Sequence, residues 1–159
     1  MKKTNALRML DAHKINYETV SYEVDESDLS GAHILSYIPL APEAVFKTLV
    51  LKGEKKGLMV VCIPALKEIN LKKLASAVGD KKVEMLPLKQ LLPTTGYIRG
   101  GCSPLGMKKH FPTYFDKSCL NHEKISVSAG VRGMQMIVKT EDLLKIADAS
   151  CIDVTNDDK

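Results

Sequence analysis

Two apolar runs separated by six residues constrain this chain more than any other feature. Val45-Phe46-Lys47-Thr48-Leu49-Val50-Leu51 and Leu58-Met59-Val60-Val61-Cys62-Ile63 are rich in β-branched and large apolar side chains. Gly53-Glu54-Lys55-Lys56-Gly57 joins them with a glycine at each end. The pattern predicts an antiparallel hairpin with strands over 45–52 and 58–63. One lysine sits inside the first run. Side chains alternate along a strand, so Lys47 shares a face with Val45, Leu49 and Leu51, opposite Phe46, Thr48 and Val50. A lysine among apolar neighbours loses hydration and needs a partner or a task. The ordinary alternative is a packed stem whose ammonium snorkels to solvent at the end of the sheet.

Around the hairpin the pattern predicts a single α+β domain, over residues 1–154, followed by a disordered tail at 155–159. Thr4 or Asn5 caps a first helix with Leu7, Leu10 and Ile15 on one face, and a strand follows at 17–22. The polar stretch Asp25-Glu26-Ser27-Asp28 reads as a loop into a short helix over 32–37, ended by Pro39 and Pro42. Asn70 caps a helix through Val78, with Gly79 at its C-terminal cap, and a short helix spans 87–92. Strands are expected near 97–99, 113–116, 124–128 and 135–139, then a last helix over 141–149 whose first turn holds Glu141 and Asp142. A chain of 159 residues is long enough to bury a real core, and no stretch approaches the roughly 20 apolar residues that span a bilayer.

The four cysteines lack CxxC spacing and form no metal-ligand set with His13, His33, His110 or His122, a usage that suits a reducing cytoplasm. No uninterrupted apolar segment follows the basic N-terminus, so no secretory signal is expected. The net charge of +4 is carried partly by lysine pairs at 55–56, 72–73, 81–82 and 108–109. Together they could face phosphates; separately they are solvated surface. With three Phe, five Tyr and no Trp, a base-stacking platform has little to build on.

Two glycine-bearing segments remain. Gly96-Tyr97-Ile98-Arg99-Gly100-Gly101-Cys102-Ser103-Pro104-Leu105-Gly106 allows close approach of backbone to a ligand, although it has neither the GK[ST] ending nor a GxGxxG pattern, and a plain tight turn is the more common explanation of a lone Gly-Gly. Ser126-Val127-Ser128-Ala129-Gly130-Val131-Arg132-Gly133 connects two strands and reads as a hairpin loop. Cys102 invites a nucleophile reading, but no histidine partner is assured.

Taken in order, Tyr22, Val45-Phe46-Lys47-Thr48-Leu49, Lys81-Lys82-Val83-Glu84-Met85, Gly96-Tyr97, the Gly100–Gly106 loop and Ser128-Ala129-Gly130-Val131-Arg132-Gly133 closely resemble the YbaK/EbsC family. Its members are freestanding relatives of the editing domain inserted in bacterial prolyl-tRNA synthetases. The resemblance covers residues 7–152. It implies an α+β domain with a mixed, barrel-like sheet wrapped by helices. It further implies trans-editing: hydrolysis of misacylated tRNA, typically cysteinyl-tRNA(Pro), near prolyl-tRNA synthetase, with no cofactor and no metal. Lys47 matches the essential lysine of the family's strand motif. Gly100, Gly101 and Pro104 match the loop bordering the aminoacyl group, and Tyr22 and Ser128 match pocket positions. Thr48 and Gln135 join them as substrate-binding residues. Gln135 stands where members often carry Asp, Ala129 replaces a glycine, and Ser30 stands where some place an aromatic. Three readings follow: a Cys-tRNA(Pro) deacylase, a deacylase for Ala-tRNA(Pro) or another small aminoacyl group, and a tRNA- or synthetase-binding module without hydrolysis.

Overall fold

The computed structural model describes residues 3–24 and 33–156. Helix α1 (Asn5–Ala12) starts where Thr4 accepts a hydrogen bond from the Leu7 amide at 3.2 Å, and it buries Ala6, Leu7 and Leu10. Strand β1 (Tyr17–Ser21) follows, and His33–Tyr37 forms a 3-10 turn at the place expected for a short helix. The expected loop at 25–28 and residues 29–32 lie outside the described residues.

The hairpin forms as its sequence dictates, from β2 (Phe46–Gly53) and β3 (Gly57–Pro64), with Lys47 opposite Ile63 and Leu51 opposite Met59. Helix α2 (Leu71–Val78) is capped by the Asn70 side chain on the Lys73 amide and ends at Gly79, whose φ of 77° is the left-handed cap. Then come β4 (Val83–Met85), α3 (Leu88–Thr95), β5 (Thr113–Asp116), β6 (Lys124–Ser128), β7 (Met134–Lys139), α4 (Thr140–Ile146) and β8 (Ala149–Ile152).

These strands make two open sheets, not a barrel. One is antiparallel in the order β1-β7-β6; the other is mixed, in the order β4-β2-β3-β5-β8, with β3, β5 and β8 parallel. A single parallel bridge between Val45 and Ser126 links them. The largest apolar cluster fills the space between, with Phe46 and Phe115 rings 6.3 Å apart against Leu7, Leu10, Val127 and Met136. A second cluster packs α2 onto Leu51, Met59, Val61 and Ile63. Both faces of β2 are therefore covered, and each fully buried Leu or Phe adds roughly 1.5–3 kcal/mol.

Local chemistry explains where the structure departs from expectation. No strand forms at 97–99: the Thr95 hydroxyl takes the Tyr97 amide at 3.0 Å, and the Gly101 amide closes a turn onto the Ile98 carbonyl at 2.9 Å. Helix α3 continues past its expected end through Pro93, where the missing N–H forfeits one bond on an exposed helix. The last helix stops at Ile146 because Asp148 adopts φ 52°, which frees Ala149–Ile152 to pair with β5 as β8. Thr155, placed in the expected disordered tail, bridges to Ile69, and the Asn156 amide donates to the Glu68 carbonyl at 3.2 Å.

Two of the lysine pairs converge on one acid. The Asp80 carboxylate accepts the backbone amides of Lys55, Lys56, Lys81 and Lys82 at 2.7–3.4 Å, tying the hairpin tip to the turn after α2. The Lys56 amide foremost holds the Asp80 pKa below its ordinary 3.8. A group with a depressed folded-state pKa stabilises above its unfolded value and loses that effect as pH falls through the folded one. Asp80→Ala should therefore lower Tm at pH 7, and the gap from the native chain should close on acidification below about 3.8, as thermal melts across a pH series would read.

Candidate functional site

A cavity of about 550 Å³ opens where the two sheets meet. Residues 46–50 of β2 form one wall, Ser128 of β6 and Gln135 of β7 another, and α3 with the loop at 99–102 closes the rest. Its size suits a small ligand or the end of a larger one.

Lys47 lines this cavity, half-buried, and makes no hydrogen bond or ion pair among the described residues. Burial pulls its pKa below 10.5, while the Glu68 carboxylate partly opposes the shift. Thr48 also lines the cavity, its hydroxyl 3.5 Å from the Cys62 thiol. Gln135 is 4% exposed, and its Oε1 accepts the Ser126 hydroxyl at 2.8 Å. That bond leaves the amide nitrogen of Gln135 with no partner among the described residues. Ser128 accepts the Gly130 amide at 3.1 Å. Its own proton remains available to a ligand.

Of the eight residues singled out from sequence, Lys47, Thr48, Gly100, Ser128 and Gln135 line the cavity. Tyr22, Gly101 and Pro104 do not. Tyr22 stacks on Tyr37 with ring centroids 5.9 Å apart, above Ile34, Ile38 and Ile137. Pro104 lines a separate hollow beside Met9 and Phe111. Gly101 works from behind the cavity: a Cβ there would lie 2.9 Å from the Arg132 amide nitrogen and 3.0 Å from the Val131 carbonyl carbon. The two glycine segments thus pack against each other, and the Arg132 Nε–H donates to the Arg99 carbonyl at 2.7 Å. With the Gly101 amide spent on its turn, the amides of Gly100 and Cys102, like that of Arg99, are without partners among the described residues.

Among the described residues the lining carries no carboxylate and no histidine; its charges are Lys47 and Arg99. Cys102 lines the cavity too, but burial pushes its thiol up to about 12, as it does for Cys62 behind it. A thiol that stays protonated is a poor nucleophile. The arrangement can hold an anionic or ester-bearing group and stabilise negative charge, with no activated nucleophile or base among the described residues of the lining.

The aminoacyl-tRNA editing domain family matches residues 26–146. A protein of Enterococcus faecalis (strain ATCC 700802 / V583), named "Putative Cys-tRNA(Pro)/Cys-tRNA(Cys) deacylase EbsC", is 46% identical over 154 residues, 97% of this chain and 94% of its own length. This chain belongs to the aminoacyl-tRNA editing family. Solved structures agree on the fold. One described as "a putative trans-editing enzyme for prolyl tRNA synthetase" superposes with a TM-score of 0.81 at 19% identity, covering 99% of this chain and 100% of its own. Another, "hypothetical protein APE2540", gives 0.85 at 18% identity over 96% of this chain and 100% of its own.

Sequence reasoning about this editing domain missed the apolar wall of Leu86, Leu88 and Leu91, and it missed Arg99. The helix expected at 87–92, found at Leu88–Thr95, carried the signal in leucines at 88, 91 and 92, but only its placement over the cavity gives them meaning. The packing of Gly101 makes a direct prediction. Gly101→Ala should destabilise the fold by about 1–3 kcal/mol through forced displacement of the Val131–Arg132 backbone. Chemical denaturation would read the loss, and an unchanged midpoint would contradict the close approach.

Proposed function

We propose that this protein removes cysteine from mischarged tRNA(Pro) in trans, as a freestanding cytoplasmic editing enzyme working beside prolyl-tRNA synthetase. The observation that carries the reading is a family-matched cavity with one half-buried, unpaired lysine and, among the described residues, no activated nucleophile or base in its lining. An aminoacyl ester is already activated, so positioning and charge stabilisation suffice to break it.

Lys47 holds the terminal adenosine's hydroxyl or phosphate region. The free amides of Gly100 and Cys102 receive the aminoacyl carbonyl, and the Gln135 amide nitrogen and Ser128 hydroxyl fix the side chain. For a cysteinyl ester the substrate thiol attacks its own carbonyl carbon. The carbon–sulfur bond forms, the ester carbon–oxygen bond breaks, and the thiol proton leaves with the ribose oxygen. The released thiolactone then hydrolyses in water. This route needs no catalytic base from the chain. Selection among small side chains by fit alone is weak, a reason for synthetases to depend on a second, hydrolytic sieve.

Purified protein should deacylate Cys-tRNA(Pro) and spare Ala- and Ser-charged tRNA, which lack the internal thiol. Lys47→Ala should lower kcat/KM by about 10²–10³-fold, the usual cost of one charge-stabilising donor. Hydrolysis of none of these esters, with or without synthetase, would refute the reading. Equal hydrolysis of the alanyl and cysteinyl esters would remove the substrate-thiol step.

A further inference from the structure

From Met85 to Phe115 the chain contains no Asp or Glu, although it has 19 elsewhere. The same segment carries Lys89, Arg99, Lys108 and Lys109, all exposed and none in an ion pair among the described residues. It also carries four of the largest exposed apolar side chains: Met85 at 46%, Leu88 at 60%, Leu92 at 51% and Ile98 at 43% exposure. Met85 and Leu88 line the cavity; Leu92 lies four residues beyond Leu88, on the same face of α3. Ile98 immediately precedes Arg99 and Gly100, which line it as well.

We propose that this apolar, cationic lip is the docking surface for the unpaired 3′ strand of the tRNA. The inference rests on the editing function above and extends it from the esterified adenosine to the nucleotides preceding it. A substrate whose ester enters the cavity is tethered to a polyanionic strand, and that strand must leave across the lip. Base faces lose water against Leu88, Leu92 and Ile98. The phosphates meet Arg99 and Lys89, and no carboxylate of the segment repels them. A protein partner would also cover the leucines, but the absence of acids across the whole segment favours a polyanion. With aliphatic rather than aromatic contacts, the grip tolerates sequence and is modest in strength.

Anisotropy of a 5′-fluorescein-labelled RNA single strand ending in CCA gives a readout independent of hydrolysis. The native protein should bind it in a salt-sensitive manner. Leu92→Ser/Ile98→Ser should raise Kd about tenfold. Lys89→Glu should weaken binding and reduce the salt slope by about one. On cysteinyl-tRNA(Pro) the same variants should lose kcat/KM by a similar factor, and on 3′-O-cysteinyl-adenosine they should match the native protein. Unchanged Kd values in the variants overturn the proposal, as do equal losses on both substrates. Loss of synthetase association with RNA binding intact would reassign the lip to a protein and also overturn it. If the native protein cleaves neither ester while the variants still lose RNA binding, the editing function fails and the docking surface stands.

Discussion

The seam between the two sheets is one backbone bridge, Val45 to Ser126, and the site depends on it. Ser126 is wholly buried, and its hydroxyl also fixes the Gln135 amide, so one residue joins the sheets and orients a cavity donor. Because the bridge is not continued into a ladder, β2 diverges from β6 and leaves space that side chains line rather than fill. A closed barrel would have paired those edges and removed the cavity. Val45 itself is completely buried against Ile34, Ile38 and Ile137, which anchors the first residue of the β2 wall.

The second constraint is the contact between the glycine loop and the turn from β6 to β7. Tyr97 is its strut. Its hydroxyl donates to the Leu105 carbonyl at 2.6 Å, its ring lies under Gly130, and burial pushes its own pKa up to about 12. The loop is thereby closed on itself by the Tyr97–Leu105 bond and the Ile98–Gly101 turn before any ligand arrives. Backbone donors held this way cost no ordering when they meet a carbonyl.

Much of this was legible in the residues. The hairpin, α2 with both its caps and the strands β6 and β7 follow from apolar alternation and from single capping residues such as Asn70 and Gly79. Strands β4 and β8 were not, because Val83-Glu84-Met85 and Ala149-Ser150-Cys151-Ile152 owe their extended form to partners already in the sheet. The site divides in the same way. Lys47 announces itself as a charge in an apolar run, and Gly100 as part of a doublet. Gly101 and Gly100 look identical in sequence, yet one faces the cavity and the other the Arg132 backbone, a distinction made by φ angles and tertiary approach. Arg99 gives no local sign of its place, since an exposed arginine beside glycines is ordinary until α3 is folded across from it.

The electrostatics of the cavity bear on the role proposed for Lys47. Burial costs Lys47 some of its preference for the charged form, and Glu68, outside the lining, returns only part of it. Neutral Gln135, with its oxygen already committed, adds a donor where a carboxylate would have compensated the lysine in the resting state. The uncompensated charge is relieved only when a ligand brings negative charge to it. In the proposed ester cleavage negative charge grows on the departing ribose oxygen, so a lysine held at that hydroxyl interacts more strongly in the transition state than with the neutral ester. An interaction of that kind raises turnover rather than ground-state affinity. In the proposed mechanism a lining without carboxylates among the described residues keeps that advantage: a carboxylate beside Lys47 would stabilise the empty site and give it back.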